Sequence, residues 1–153
     1  MRKITRKSAL AFLESELRYN RTFTEGNTTV AKVWGVDTTG HGMFLHGNLI
    51  AYRAEGHGEL IEDNTDCLCQ RVRVAMCSRC ASQEKGAISL TLAGWNTRTT
   101  RDRLNGILEM MEQPWRFTQR EYDAYLLDTN NGTGFKISPW AQIDARTGQI
   151  ISD

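Results

Sequence analysis

Between Thr5 and Asn20 the apolar positions Leu10, Leu13 and Leu17 recur three and four residues apart, which predicts an amphipathic helix with Asn20 as its stop. The polar run Thr24 to Asn27 reads as a turn. From Val30 to Val36 the pattern changes to strict alternation, with Val30, Lys32, Trp34 and Val36 on one side and Ala31, Val33 and Gly35 on the other, so a strand follows. After Thr39-Gly40-His41-Gly42, the stretch Met43 to Arg53 carries Met43, Leu45 and Leu49 on one face and Phe44, Ile50 and Tyr52 on the other. Apolar groups on both faces predict a central strand.

The pattern weakens from Ala54 to Gly86, where an acidic cluster (Glu55, Glu59, Glu62, Asp63, Asp66) precedes all four cysteines. Within it Val72, Val74 and Met76 alternate with Arg71 and Arg73, as on a half-exposed strand with a basic outer face. Gln83 to Gly86 is a further turn signal, and Ile88, Leu90 and Leu92 then alternate with Ser89, Thr91 and Ala93 as a strand. A second helix is predicted by Leu104, Ile107, Leu108 and Met111, closed by Pro114 and capped by Thr99 with Asp102 three residues on. Beyond it, Trp115 with Phe117, Ala124 with Leu126, and Phe135 with Ile137 mark short strands, and Asn130-Asn131-Gly132 marks a hairpin turn.

The expected architecture is therefore one α+β domain over residues 1–153. It has an antiparallel sheet of about four to six strands, two helices packed on one face, and an elaborated cysteine-containing excursion at 54–86. Double-stranded-RNA-binding domains share the helix, strands, helix order, but a shared order does not carry function.

Composition narrows the classes. With 153 residues the chain is long enough to bury its own core without disulfides. The net charge of +1 gives no whole-molecule attraction to nucleic acid or anionic lipid, so any basic surface has to be local. One local excess lies at the N-terminus, in Arg2, Lys3, Arg6, Lys7, Arg18 and Arg21. No window approaches the roughly 18 apolar residues of a spanning helix, and no apolar core follows Met1-Arg2-Lys3 as in a signal peptide. These features predict a protein that is not membrane-bound and acts in a reducing cytoplasm, with its cysteines unpaired.

Two constellations carry chemistry. Cys67, Cys69, Cys77 and Cys80 form C-x-C, seven residues, then C-x-x-C, and two close thiol pairs at the ends of a hairpin suit a structural tetrahedral Zn²⁺. Ordinary buried thiols are the competing reading, and a redox pair of Cys77 and Cys80 is a third. At the strand-to-helix junction, Arg98, Thr99, Thr100, Arg101 and Arg103 combine helix-start amides, hydroxyls and guanidinium forks, the ingredients of an anion site that would suit a nucleic-acid phosphate. The competing reading makes Thr99 a cap, leaves Arg101 and Arg103 solvated and puts Trp95 in the core. His46 reads as a structural histidine on a strand, and His57 as a loop residue with a spare metal ligand as the alternative. Walker-type loops, G-x-S-x-G elbows and H-E-x-x-H helices are lacking, so no catalytic residue is assigned and the expectation leans away from an enzyme.

Met43 to Ala51, containing Leu45-His46-Gly47-Asn48, and Ala93 to Asn105, containing Ala93-Gly94-Trp95 and Thr99-Thr100 through Arg103-Leu104-Asn105, resemble signature segments of a group of small tailed-bacteriophage proteins. Phe23 to Val30 is similar to that group as well, and the stretch Ala54 to Gly86 is where this chain departs from it. The resemblance implies a phage accessory protein working in the bacterial host cytoplasm, and it brings no catalytic residue. The leading expectation is a non-enzymatic binding module contacting nucleic acid or a phosphate-bearing ligand. The alternative is a protein-binding inhibitor of a host enzyme or defence system, with the cysteine excursion as its contact surface.

Overall fold

The computed structural model describes residues 1–15, 21–34, 38–57 and 88–152. The cysteines, the Val72 to Met76 alternation and the Gln83 to Gly86 turn signal lie outside these residues. In chain order the elements are α1 (Lys3–Glu14), β1 (Arg21–Glu25), β2 (Thr28–Trp34), β3 (Thr38–Leu45), β4 (Asn48–His57), β5 (Ile88–Thr91), α2 (Arg98–Met110), β6 (Trp115–Arg120), β7 (Asp123–Asp128), β8 (Thr133–Lys136), β9 (Gln142–Asp144) and β10 (Ile150–Ser152). The protein is α+β, and its strands form two sheets rather than one of four to six strands. A seven-stranded sheet runs β1-β2-β3-β4-β5-β9-β10, and β6-β7-β8 form a separate meander. Every pairing is antiparallel. Because β9 pairs directly with β5, α2 and the meander are an excursion between neighbouring strands of the large sheet.

The predicted central strand over Met43 to Arg53 is a hairpin. His46 and Gly47 both have positive φ (51° and 81°), as a two-residue type I′ turn requires, and Leu45 pairs with Asn48 across it. A bulge then sets Met43 opposite Ala51 and Phe44 opposite Leu49. The turn inside this stretch and the bulge beside it explain why apolar residues face both ways in the sequence. The run Thr24 to Asn27 is likewise the end of β1 and a tight turn into β2, with Glu25 opposite Thr28.

The buried positions of α1 are Thr5, Ser8, Ala9 and Phe12, a stripe displaced from the expected leucine face; Leu17 and Asn20 lie outside the described residues. Small residues dominate this stripe because α2 comes close: a Cβ built on Gly106 would lie 2.4 Å from Thr5 Cγ2. The carbonyls at the end of α1 are met by a cation, as helix C-termini favour. Arg53 of β4 donates to Leu13 O at 2.5 Å, to Ser15 O, and to Ser15 Oγ at 2.8 Å.

On α2 the predicted apolar period holds, with Leu104, Ile107 and Leu108 all buried. The helix ends in a Schellman arrangement in which Glu112 N donates to Glu109 O and Gln113 N to Leu108 O, both near 3 Å (3.0 and 2.9 Å). Pro114 follows, as expected. Asn105 fixes α2 to the meander, since its Nδ2 donates to Phe117 O at 2.9 Å and its Oδ1 accepts from Phe117 N at 2.7 Å. The core joins Phe12, Val30, Met43, Ile50, Leu90, Leu104, Ile107 and Ile143, all essentially without solvent contact. Among the described residues no helix is long and apolar enough to cross a membrane.

Candidate functional site

Leaving β5, the chain turns sharply through Ala93 and Gly94, both with positive φ (52° and 83°), and Trp95 N donates back to Leu92 O at 2.9 Å. Alanine in this left-handed region is strained by about 1–2 kcal/mol. Gly94 has a second reason to lack a side chain, because the Trp140 ring lies where its Cβ would be, 2.4 Å from the nearest ring atom. The turn delivers Trp95 to the surface, where it is 57% exposed, next to the 67% exposed Trp140.

Thr97 caps α2. Its Oγ1 accepts from Thr100 N at 3.2 Å and lies 2.8 Å from the Thr100 hydroxyl. This corrects the expected cap at Thr99, and the proposed box with Asp102 does not form. Asp102 instead faces α1, where it accepts from the Thr5 hydroxyl and lies 2.9 Å from Arg103 Nη1 and 3.6 Å from Arg2 Nε.

The five residues expected at the anion site therefore separate. Arg98 is exposed and Arg101 half-buried, and the two line one open cleft of about 660 Å³ with Asn105, Gln119 and Tyr122. Arg101 is braced by Asn96, donating from Nη1 to its O at 3.1 Å and to its Oδ1 at 2.6 Å. Burial, and then the neighbouring Arg98 cation, lower the Arg101 pKa from its ordinary value. Thr99 and Thr100 look the other way, into a second cavity of about 490 Å³. Arg103 is not solvated at all, being 3% exposed. It donates from Nε to Thr28 Oγ1 at 3.1 Å and from Nη1 to Thr5 Oγ1 at 2.8 Å, so it ties α2 to β2 and α1. Burial lowers its pKa, and the adjacent Asp102 carboxylate opposes that shift.

The second cavity brings together two segments about fifty positions apart in sequence. His46, Asn48 and Ile50 come from the β3–β4 hairpin, and Trp95, Thr97, Thr99 and Thr100 from the approach to α2. His46 is thus a turn residue and not a strand residue, and His57 ends β4 instead of lying in a loop. Of the N-terminal basic residues, Arg2, Lys3, Arg6, Lys7 and Arg21 are exposed, and Arg18 lies outside the described residues.

Tyr122 was not anticipated. It sits with Glu121 in the β6–β7 turn, both at positive φ, and is 90% exposed. A signal was available: the aromatic stands in the charged run Arg120-Glu121-Tyr122-Asp123 between two alternating segments, where a buried residue had no place. Cys67, Cys69, Cys77 and Cys80, the expected zinc ligands, lie outside the described residues. Among the described residues no cluster of His, Cys, Asp and Glu is arranged to hold a metal.

The family model of the Kyanoviridae Gp96 protein matches residues 61–147. That range takes in the four cysteines, Ala93 to Asn105, α2 and the meander, whereas Met43 to Ala51 lies outside it. No curated protein and no solved structure matches the chain. Since the match spans more than half of the sequence, the chain belongs to the Kyanoviridae Gp96 family of bacteriophage proteins.

Proposed function

We propose that the protein is a non-enzymatic binding module that holds nucleic acid, or another phosphate-bearing ligand, at the start of α2. The observation that carries this reading is the cleft in which Arg98 and Arg101 lie three residues apart in the first turn of the helix. Asp102 also lines it, but Arg103 and Arg2 already offset that carboxylate, which leaves two guanidinium groups against Glu121. Arg101 is held in place by Asn96, so less side-chain freedom is lost when it meets a phosphate. With so few cations the binding is modest and local, in keeping with the near-neutral chain.

Fluorescence anisotropy of labelled DNA and RNA, titrated at low and at moderate salt, tests the reading. Salt-sensitive binding that falls at least tenfold in the Arg98→Ala/Arg101→Ala variant supports it. Binding unchanged in that variant removes the site, and no binding at low salt redirects the search to a host-protein target.

A further inference from the structure

Besides Phe135 of β8, which is 45% exposed, the described surface carries three large exposed aromatic residues: Trp95, Trp140 and Tyr122, exposed by 57%, 67% and 90%. They are not scattered. The Trp140 ring lies against Gly94, and Gly94 N donates to Pro139 O at 2.9 Å, so Trp140 adjoins the turn that presents Trp95. On the other side, Asn96 Nδ2 donates to Tyr122 O at 3.3 Å. One short loop, residues 92–97, therefore touches all three. Tyr122 shares its cleft with Arg98 and Arg101, and Trp95 walls the second cavity.

We infer that the partner of this surface is an unpaired, single-stranded nucleic acid, with bases stacked on Trp95 and Tyr122 and the phosphate between them held by Arg98 and Arg101. The inference rests on the phosphate-binding reading above and names its ligand. In a duplex the bases are stacked on one another, so exposed protein rings gain little from it. Unpaired bases present free π-faces, and such rings beside cations are how single strands are held. The cavity behind Trp95 supplies what a base edge needs. His46, Asn48 and Thr99 line it, and among the described residues their side chains make no hydrogen bond. The first turn of α2 separates this cavity from the arginine cleft, so a strand crossing the helix start places one base on each side and its phosphate over Arg98 and Arg101.

The test compares a labelled single-stranded DNA, the same sequence as RNA, and the DNA duplex. Each is titrated with the wild type, Trp95→Ala, Tyr122→Asn and Arg98→Ala/Arg101→Ala. Asparagine tolerates the positive φ of position 122, so Tyr122→Asn keeps the turn if Trp95→Ala disturbs the fold. The expected result is at least tenfold preference for single strands of either sugar, with a roughly tenfold loss on single strands in each aromatic variant and little change on duplex. Equal affinity for strand and duplex, with the aromatic variants silent and only the arginine variant impaired, overturns this inference and leaves the phosphate reading standing. Binding to none of the three overturns both.

Discussion

Replacing Arg103 with Met separates the two roles that the arginines of α2 share out. The guanidinium is 3% exposed and has three partners, Thr28 Oγ1, Thr5 Oγ1 and Asp102 Oδ2. Methionine fills similar space but leaves the Thr28 hydroxyl, itself without solvent contact, and one face of Asp102 without their donor. Removing one partner of a buried charged pair costs about 3–5 kcal/mol. The Asp102 side chain is 30% exposed and keeps Thr5 and Arg2, so the lower end applies, about 3 kcal/mol. For a domain of this size that is a fall in Tm of about 6–12 °C. Adding Asp102→Asn to Arg103→Met should recover part of the loss, because the under-compensated carboxylate is then gone. Circular dichroism melts and urea titrations of the two variants read these shifts. Oligonucleotide binding by folded Arg103→Met should stay near wild type, since Arg103 lines neither cavity. A Tm within about 2 °C of wild type, corresponding to less than about 1 kcal/mol, would show that the guanidinium is solvated and the buried network is not what ties the helices together.

Asn105→Leu should destabilise by about 2–4 kcal/mol, because it strips both backbone partners from Phe117; urea unfolding with a shift below 1 kcal/mol would refute the anchoring role. Glu112 occupies the left-handed C′ position of α2 at φ 58°, where glycine is unstrained, so Glu112→Gly should raise stability by about 1 kcal/mol, and a lowered melting temperature would contradict that assignment. Gly94→Ala should cost at least about 2 kcal/mol in the same assay, through its φ of 83° and the Trp140 ring, and a neutral result would mean the loop repacks freely. A zinc site at Cys67, Cys69, Cys77 and Cys80 predicts one metal per chain in native mass spectrometry and a lower Tm with chelator; metal-free protein with an unchanged melt would leave the four as ordinary thiols.

Much of the fold is legible in the residues. The apolar period of α2 and the Asn130-Asn131-Gly132 turn of the meander appear where the side chains predict them, and a strand does begin at Ile88, although it ends at Thr91 and is buried on both faces. What escaped has physical causes. His46-Gly47 lacks the usual Asn-Gly or Asp-Gly signal, so a hairpin with a bulge read as one strand with apolar residues on both faces. Three of the four buried positions of α1, Thr5, Ser8 and Ala9, are small or polar, and only Phe12 is large and apolar, so periodicity in large apolar residues cannot find the stripe. The strands β9 and β10 are three residues each, too short to show an alternation. Arg98 and Arg101 stand in the first turn of α2, whereas Arg103, which the sequence groups with them, belongs to the buried stripe with Leu104 and Ile107. Its neighbours at three- and four-residue spacing held that information. The convergence of the β3–β4 hairpin with the Trp95 loop, by contrast, depends on sheet order, which local patterning does not encode.

The most direct test of the central claim is the salt dependence of single-stranded oligonucleotide affinity in the wild type and in Arg98→Ala/Arg101→Ala. One phosphate neutralised by Arg98 and Arg101 predicts a slope of log K against log salt of about −0.7 for the wild type and close to zero for the variant. A slope that is the same in both proteins would show that these arginines do not meet phosphate and would contradict the account.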